Sequence, residues 1–383
     1  MLEKFLETKP LYYNEIDYSR MPRIYSRIEE HFILPTVIHI IGTNGKGTTG
    51  RFLATALFHK SYNVGHYTSP HILEFNERIW FNGEDVSMQR LEEVHQKLLS
   101  ILTQKEADSL SYFEYTTLLA MLFFSKKSDF IILEAGLGGE YDATAVFTNN
   151  LTLVTPIDRD HEAFLGNTIE AIAKTKLSAI QKSAILATQN HDDTVFSLLE
   201  RLEKEKDIES YRAEELLELK DSANITAIMQ RESLPAYLKE NLSLAIAALK
   251  YLKEEYTPDD FKNSKLFGRL SSLDKNILVD VGHNVLAAKS ILATLKDEKY
   301  ILVYNSYKDK DYRTILTILK PIIEEVHVID IYNSRIEDSN YLQTALDDLS
   351  IQWKKFEMIE NDKKYLVFGS FSVVEAFLRI YNG

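Results

Sequence analysis

The stretch Val37-Ile38-His39-Ile40-Ile41-Gly42-Thr43-Asn44-Gly45-Lys46-Gly47-Thr48-Thr49 decides the fold. It begins with an apolar run that favours a buried β-strand, and its glycines predict a tight loop before a helix. Glycines let successive backbone N–H groups turn toward one point, the helix adds its positive end, and the lysine adds a charge. Strand, glycine loop and helix in this order indicate a phosphate cradle, so a nucleoside triphosphate is the first ligand that we expect.

The loop differs from the common P-loop, in which four residues separate the first glycine from Gly-Lys and a Ser or Thr follows the lysine. Ile40 stands in the place of that glycine, and Gly47 stands in the place of the metal-binding hydroxyl. Thr48 is displaced by one residue, so we expect a metal ion to take an oxygen ligand from elsewhere. A tight turn without a ligand is the alternative interpretation of Gly-Lys-Gly alone.

The composition is that of a globular protein with more than one domain, since 383 residues with a hydrophobic fraction of 45% support large packed cores. A formal net charge of −13 argues against general affinity for nucleic acid or anionic membranes. Without cysteine, disulfides, thiolate metal sites and a cysteine nucleophile are excluded. The charged start of the chain and the lack of any run near the roughly 20 apolar residues of a membrane helix predict a cytoplasmic protein that binds small molecules.

Short runs rich in Val and Ile alternate with helical patterns, which predicts an α/β fold. The predicted strands are 36–41, 64–66, 130–133, 151–155, 184–187, 276–280, 300–304, 326–331 and 365–368. An apolar helix predicted over 241–252 precedes a polar stretch from Glu254 to Lys265, where we place a domain boundary. We therefore expect an N-terminal P-loop ATPase-like domain with a mostly parallel sheet (residues 1–264) and a smaller C-terminal Rossmann-like α/β domain (residues 265–383).

Three groups of polar residues follow strands of the first domain, at the sheet edge where ligands bind in such folds. Ser69, in Thr-Ser-Pro-His, could supply the hydroxyl that Gly47 lacks, although an ordinary turn explains it as well. Glu134 ends an apolar strand before Ala-Gly-Leu-Gly-Gly and is suited to hold Mg²⁺. His161 is either a metal ligand or a turn residue. Lys176, taken by its helix alone, is expected to be solvated.

These residues together resemble the Mur ligase superfamily, and within it the folylpolyglutamate and dihydrofolate synthases. The resemblance covers almost the whole chain in order. The matching segments are Gly-Thr-Asn-Gly-Lys-Gly at 42–47, Thr-Ser-Pro-His at 68–71, Phe-Asn-Glu-Arg-Ile at 75–79, Phe-Glu-x-x-Thr at 113–117, Glu-Ala-Gly-Leu-Gly-Gly at 134–139, Asp-His at 160–161, Leu-Gly-Asn-Thr at 165–168, Gly-Arg at 268–269, the segment 280–284 and Asp-Lys-Asp at 309–311.

The resemblance implies an ATP-dependent ligase that joins a pteroate or folate carboxylate to L-glutamate through an acyl phosphate. Its cofactors would be ATP and two Mg²⁺ ions, its substrates dihydropteroate or reduced folates, and we expect a monomer. The implied ATP contacts are Gly42, Thr43, Asn44, Gly45, Lys46, Gly47, Thr48 and Arg269, together with Asp280 and His283 near the γ-phosphate. Ser69, Glu134 and His161 would bind Mg²⁺, and a carbamylated Lys176 would bind the second ion.

Lys46, Lys176, Asp280 and His283 would be the catalytic residues, and the folate pocket would include Phe75, Arg78, Phe113 and Glu114. Some positions depart from the family pattern: Thr175 replaces a glutamate, and Phe267 and Val285 each replace a proline. Two other functions stay open. One is a ligase that adds amino acids to a peptidoglycan precursor, and the other is a nucleotide-dependent switch or binding protein.

Overall fold

The computed structural model describes residues 1–10, 17–187 and 193–383. These residues form two compact units, of which the first contains 1–234 and 238–264 and the second contains 235–237 and 265–383. In the described part of the chain, no helix is both long enough and apolar enough to cross a membrane.

The helices of the first unit are α1 (Leu2–Glu7), α2 (Arg20–Ile28), α3 (Lys46–His59), α4 (Met88–Ile101), α5 (Gln104–Ser109), α6 (Tyr112–Phe124), α7 (Glu162–Leu165), α8 (Ile169–Leu177), α9 (Asp193–Lys206), α10 (Ala213–Leu216), α11 (Leu219–Arg231) and α12 (Lys239–Tyr251). Its strands are β1 (Thr36–Ile41), β2 (Val64–Tyr67), β3 (Ile79–Phe81), β4 (Glu84–Asp85), β5 (Phe130–Glu134), β6 (Leu151–Val154), β7 (Ser183–Leu186) and β8 (Glu209–Arg212).

The strands of the first unit form one sheet in the order β4-β3-β2-β5-β1-β6-β7-β8. The pairs β2–β3 and β3–β4 are antiparallel, and the other pairings are parallel. Strand β1 lies between β5 and β6 and is buried along almost its whole length, as its continuous apolar run requires in a sheet covered on both faces. The loops after β1, β2, β5 and β6 consequently leave the same edge of the sheet.

The second unit is a smaller α/β sheet structure. Its strands are β9 (Ser271–Asp274), β10 (Ile277–Asp280), β11 (Tyr300–Tyr304), β12 (Ile323–Val328), β13 (Trp353–Lys355) and β14 (Tyr365–Phe368), and its helices are α13 (Val285–Leu295), α14 (Tyr312–Leu319), α15 (Ser339–Asp348) and α16 (Phe371–Asn382). The strand order is β13-β12-β11-β14-β10-β9, and β9 alone among these strands pairs antiparallel.

The predicted α/β fold class is confirmed. The strand predicted over 326–331 is observed earlier, as Ile323–Val328, because the chain leaves the sheet after Val328 although the apolar pattern continues to Ile331. Strands β3, β4, β8, β9 and β13 were not predicted. All five have four residues or fewer, which leaves little periodicity to detect.

Candidate active site

The glycine loop after β1 has the backbone shape that the sequence predicts. Gly42 and Gly45 have φ angles of +134° and +88°, and α3 begins at Lys46. A Cβ atom on Gly42 would lie 2.6 Å from the carbonyl oxygen of Thr155, and one on Gly45 would lie 2.0 Å from Nδ2 of Asn241. Since both positions combine positive φ with a close neighbour, only glycine fits them without strain.

Thr43 anchors this loop to the segment that follows β6. Its backbone N–H donates to the carbonyl of Pro156 at 2.8 Å, and its hydroxyl donates to the carbonyl of Asp158 at 2.9 Å. The side chain of Asn241, on α12, approaches from the other side and donates to the carbonyl of Gly45 at 3.3 Å and to the hydroxyl of Thr49 at 3.1 Å. The loop is therefore held in place by two other segments of the first unit.

Two lysines converge on the carbonyl oxygen of Gly42. Nζ of Lys46 lies 3.3 Å from this oxygen and 3.2 Å from the carbonyl oxygen of Thr43, and Nζ of Lys176 lies 2.8 Å from the Gly42 oxygen. The expectation that Lys176 is solvated is wrong, because α8 turns it inward and leaves it 4% exposed. Burial, reinforced by the charge of Lys46, lowers the pKa of Lys176 to about 7.

Glu134 and Ser69 are brought together at the sheet edge. Strands β2 and β5 pair with Tyr67 opposite Leu133, so the residues after these two lie side by side. The backbone N–H of Ser69 donates to Oε2 of Glu134 at 3.3 Å, and the hydroxyl of Thr68 donates to the same oxygen. Glu134 is buried, which places a carboxylate and a serine next to each other where an oxygen-binding cation could be held.

His161 precedes α7 in a left-handed conformation, with φ at +53°. Its Nε2 lies 3.8 Å from Oδ2 of Asp160, and its backbone N–H donates to Oδ1 of the same residue at 2.9 Å. The structure thus pairs His161 with a neighbouring carboxylate. Its place in a metal site with Ser69 and Glu134 stays a prediction.

The first unit offers hard oxygen donors for Mg²⁺. Across residues 1–10, 17–187 and 193–383, no group of three or more His, Asp or Glu side chains could hold a metal ion. The predicted metal site of Ser69, Glu134 and His161 is not such a group, because only two of its three members are His, Asp or Glu and the third is a serine hydroxyl. A further oxygen lies on the first turn of α3, where the hydroxyl of Thr48 is buried and has no hydrogen-bond partner among the described residues. Carboxylate and hydroxyl oxygens suit Mg²⁺.

The glycine loop after Glu134 packs closely against two neighbours. A Cβ on Gly136 would lie 2.6 Å from the ring of Phe113, and one on Gly139 would lie 2.6 Å from the carbonyl oxygen of Lys176. Asp142 closes this loop by accepting a hydrogen bond of 2.8 Å from the N–H of Leu137. The loop therefore joins Glu134 to the lysine helix and to the predicted folate pocket.

Three of the four residues predicted for the folate pocket lie among aromatic side chains. Nε of Arg78 donates to Nδ1 of His71 at 2.8 Å, and its guanidinium lies 5.2 Å from the ring centroid of Tyr112. Phe75 meets both His71 and Tyr112 edge to face, and Phe113 lies 5.9 Å from the ring centroid of Tyr67. Cationic and aromatic groups of this kind can bind a flat heteroaromatic acid.

Glu114, the fourth residue, already has strong partners within the protein. It caps α6 by accepting a 2.8 Å hydrogen bond from the N–H of Ser111, and it forms an ion pair with Arg20 at 2.9 Å. These contacts give Glu114 a structural role, and its contact with substrate stays a prediction.

In the second unit, Asp280 joins three segments of chain. Its carboxylate accepts hydrogen bonds from the hydroxyl of Tyr237 at 2.7 Å and from the backbone N–H groups of Leu270 and Gly282 at 2.8 and 2.7 Å. Burial raises the pKa of Asp280, and the nearby charge of Arg269 opposes this shift. Asp280 thereby fixes the loop that carries Arg269.

The other two residues predicted in this unit are near Asp280 in the chain. Arg269 lies 5.9 Å from the ring centroid of Phe371, and Nδ1 of His283 lies 3.2 Å from the carbonyl oxygen of Val281. Their contacts with a nucleotide stay predictions.

The sequence did not point to Thr68, Asp142 or Asn241 as site residues. Thr68 had a detectable signal, since it directly precedes Ser69 in the same motif. Asp142 begins an Asp-Ala-Thr sequence typical of a helix N-cap, which suggests only a local role. Asn241 is far from the loop in sequence, and only the packing of α12 on α3 shows the contact.

No model of a protein family matches the chain. The chain is 30% identical to a Haemophilus influenzae protein named dihydrofolate synthase/folylpolyglutamate synthase, over 95% of this chain and 93% of that protein. It is also similar to the crystal structure of Helicobacter pylori folylpolyglutamate synthetase, with 38% identity, a TM-score of 0.81 and coverage of 100% and 98% of the two chains. The structure of Escherichia coli FolC in complex with DHPP and ADP matches with 25% identity, a TM-score of 0.82 and coverage of 100% and 97%.

Proposed function

Because the chain belongs to the dihydrofolate synthase/folylpolyglutamate synthase family, we propose that its glycine loop and the neighbouring Glu134 form the ATP site of a folate ligase. The chain is an ATP-dependent ligase that uses a divalent metal ion and forms an amide bond between a pteroate or folate carboxylate and L-glutamate. The observation that carries the assignment of residues is the convergence of Lys46 and Lys176 on the loop carbonyl of Gly42.

The reaction brings anions together twice. The substrate carboxylate attacks the γ-phosphorus of ATP, and the bond to the β,γ-bridging oxygen breaks to release ADP and leave an acyl phosphate. The amino group of glutamate then attacks the acyl carbon, phosphate leaves, and the amine loses a proton. Lys46 and the backbone N–H groups of residues 42–48 would bind the phosphates and offset the repulsion. Positioning and electrostatic stabilisation are therefore the main contributions that we assign to the protein.

Ser69, Glu134 and His161 would hold Mg²⁺, which neutralises phosphate charge when bound. The second ion would be held by a carbamylated Lys176. A pKa near 7 keeps a fraction of this amine neutral at physiological pH, and a neutral amine is the form that adds CO₂. The hydrogen bond from Lys176 to Gly42 supports a place for its side chain beside the phosphate loop.

The pteridine and benzoyl rings of the substrate would lie among Phe75, Arg78 and Phe113. Support comes from the aromatic and cationic neighbours of Arg78. In the C-terminal domain that we propose for residues 265–383, Arg269, Asp280 and His283 would serve the nucleotide and the transfer to glutamate. Reduced folates, dihydropteroate and L-glutamate are the proposed substrates, and we propose a cytoplasmic monomer.

The proposal is tested by ADP release from the purified protein with ATP and Mg²⁺, with and without glutamate, in parallel on dihydropteroate and tetrahydrofolate. We expect glutamate-dependent release and a product heavier by one glutamyl residue, identified by mass spectrometry. Turnover with dihydropteroate alone makes the protein a dihydrofolate synthase, and turnover with both makes it bifunctional. ADP release that is indifferent to glutamate and to both pterins contradicts the proposal and favours a peptidoglycan ligase or a nucleotide switch.

A further inference from the structure

The hydroxyl of Thr68 has no role in the function proposed above, yet it contacts the residue at the centre of the metal site. Thr68 follows β2 and Glu134 ends β5, and the pairing of Tyr67 with Leu133 sets the two residues side by side. The Thr68 hydroxyl donates to Oε2 of Glu134, the oxygen that also accepts the N–H of Ser69 at 3.3 Å. One carboxylate oxygen thus receives two donors from one motif.

The donor side of this contact is fixed by other parts of the sheet. The N–H of Thr68 donates to the carbonyl of Arg78 at 2.9 Å, which ties the residue to the start of β3. The preceding Tyr67 pairs with Ile79 on β3, and its hydroxyl lies 2.9 Å from the hydroxyl of Thr116 on α6. The main chain of Thr68 is therefore fixed, and its hydroxyl can follow a moving carboxylate only by rotation about χ1.

The acceptor side is fixed as well. Glu134 pairs with Ile40 of β1, and the N–H of Ala135 donates to the carbonyl of Ile40 at 3.0 Å. The main chain of Glu134 is thus held by β1, and that of the preceding Leu133 by β2, so the torsions of the Glu134 side chain are the freedom that is left. A hydrogen bond to one carboxylate oxygen removes much of that freedom, because it sets the direction of the carboxylate plane.

We propose that Thr68 is a positioning residue for the metal site and that it acts by orienting the carboxylate of Glu134. This inference rests on the proposed role of Glu134 as a metal ligand. Partners of this kind, which bind a ligand and not the ion, typically change metal affinity by about 10- to 100-fold when they are removed. A threonine that only satisfied a buried carboxylate would change the stability of the fold and leave metal affinity as it was.

The test uses Thr68→Val, which keeps the shape and removes the hydroxyl, and Thr68→Ser, which keeps the hydroxyl. The matched control is Thr55→Val on α3, since the Thr55 hydroxyl is buried and has no hydrogen-bond partner within the described ranges. Glu134→Gln serves as the reference for a lost ligand. Mn²⁺ binding is measured by electron paramagnetic resonance with a non-hydrolysable ATP analogue, and the Mg²⁺ dependence of ADP release is measured alongside.

We expect Thr68→Val to raise the Kd for Mn²⁺ by about 10- to 100-fold, with kcat largely recovered at saturating Mg²⁺. Thr68→Ser should restore the affinity to within a few-fold of the unchanged protein, and Thr55→Val should leave it unaltered. In a Glu134→Gln background, Thr68→Val should add little, because the two residues act through one contact.

Two results overturn the inference and leave the proposed function standing: an unchanged Kd in Thr68→Val when Glu134→Gln weakens binding, or equal losses in the Val and Ser variants. If Glu134→Gln itself leaves Mn²⁺ affinity unchanged, the proposed metal site fails, and the inference fails with it. Should Thr68→Val not accumulate as folded protein, Thr68→Ala removes the same hydroxyl without adding volume and provides the same comparison.

Discussion

Replacing Gly42 by alanine should destabilise the first unit strongly, because the backbone itself stands in the way. The new Cβ would lie 2.6 and 2.9 Å from the carbonyl oxygen and carbon of Thr155, at a φ of +134°. A positive φ of this kind costs a non-glycine residue about 1–3 kcal/mol. Forcing a neighbouring segment aside costs about 1–3 kcal/mol more. We expect Gly42→Ala to lower the free energy of unfolding by about 2–6 kcal/mol in total.

Gly45→Ala offers a contrast, since the obstacle there is the end of a side chain. Its Cβ would meet Nδ2 of Asn241 at 2.0 Å, and the amide can turn away at the loss of its hydrogen bonds to Gly45 and Thr49. Removing that side chain with Asn241→Ala should relieve part of the cost of Gly45→Ala and leave only the strain of the left-handed backbone, about 1–2 kcal/mol. The same removal should not relieve Gly42→Ala.

The assay is urea unfolding followed by tryptophan fluorescence. The chain has two tryptophans, of which Trp80 lies on β3 in the first unit and Trp353 on β13 in the second. In a Trp353→Phe background, the signal of Trp80 therefore reports on the first unit. A loss below about 1 kcal/mol for Gly42→Ala, or an equal rescue of both glycine variants by Asn241→Ala, would refute the reasoning.

Three other outcomes follow from the structure. Lys46→Ala should abolish glutamate ligation with an unchanged circular dichroism spectrum, because in the proposed site this lysine binds the phosphates and belongs to no core; near-normal ligation would exclude the assignment. Lys176→Ala should lose activity that short carboxylic acids such as acetate restore, and an unimpaired variant would remove the carbamate from the mechanism. Burial in the folded protein lowers the pKa of His39 from 6.5 to about 4. As pH falls, the unfolded chain therefore binds this proton before the folded protein does. The free energy of unfolding should fall by about 3 kcal/mol between pH 6.5 and 4. His39→Gln should flatten that part of the unfolding curve against pH, and an equal slope in both proteins would show that His39 is not its source.

The sequence was sufficient to predict the central part of the fold and the shape of the glycine loop after β1. Strand β1 is a long apolar run followed by glycines that need positive φ, so composition and spacing both specify the loop. The predicted neighbourhood of Ser69 and Glu134 is also observed, because parallel strands end at one edge of the sheet. Short edge strands such as β4 and β8 could not be predicted from the sequence, because their pairing depends on partners far along the chain.

Helix periodicity was a poor guide to which side chains are buried. Lys176 lies on a helix whose sequence allows a solvated lysine, and its burial follows from the contact of α8 with the glycine loops, which tertiary packing decides. Glu114 matched a family motif, yet its ion pair with Arg20 is visible only when α2 and α6 come together. Contacts between distant segments were therefore the information that the sequence lacked.

The three hydrogen bonds donated to the Asp280 carboxylate determine which residues a separately expressed second unit needs. Residues 235–237 belong to the second compact unit, although the chain returns to the first at residue 238. A fragment that begins at Lys265 would lack Tyr237 and leave a buried carboxylate with the two backbone donors from Leu270 and Gly282. A single cut cannot separate the units without breaking this contact, so an independently expressed second unit should include residues 235–237, joined by circular permutation or a short linker.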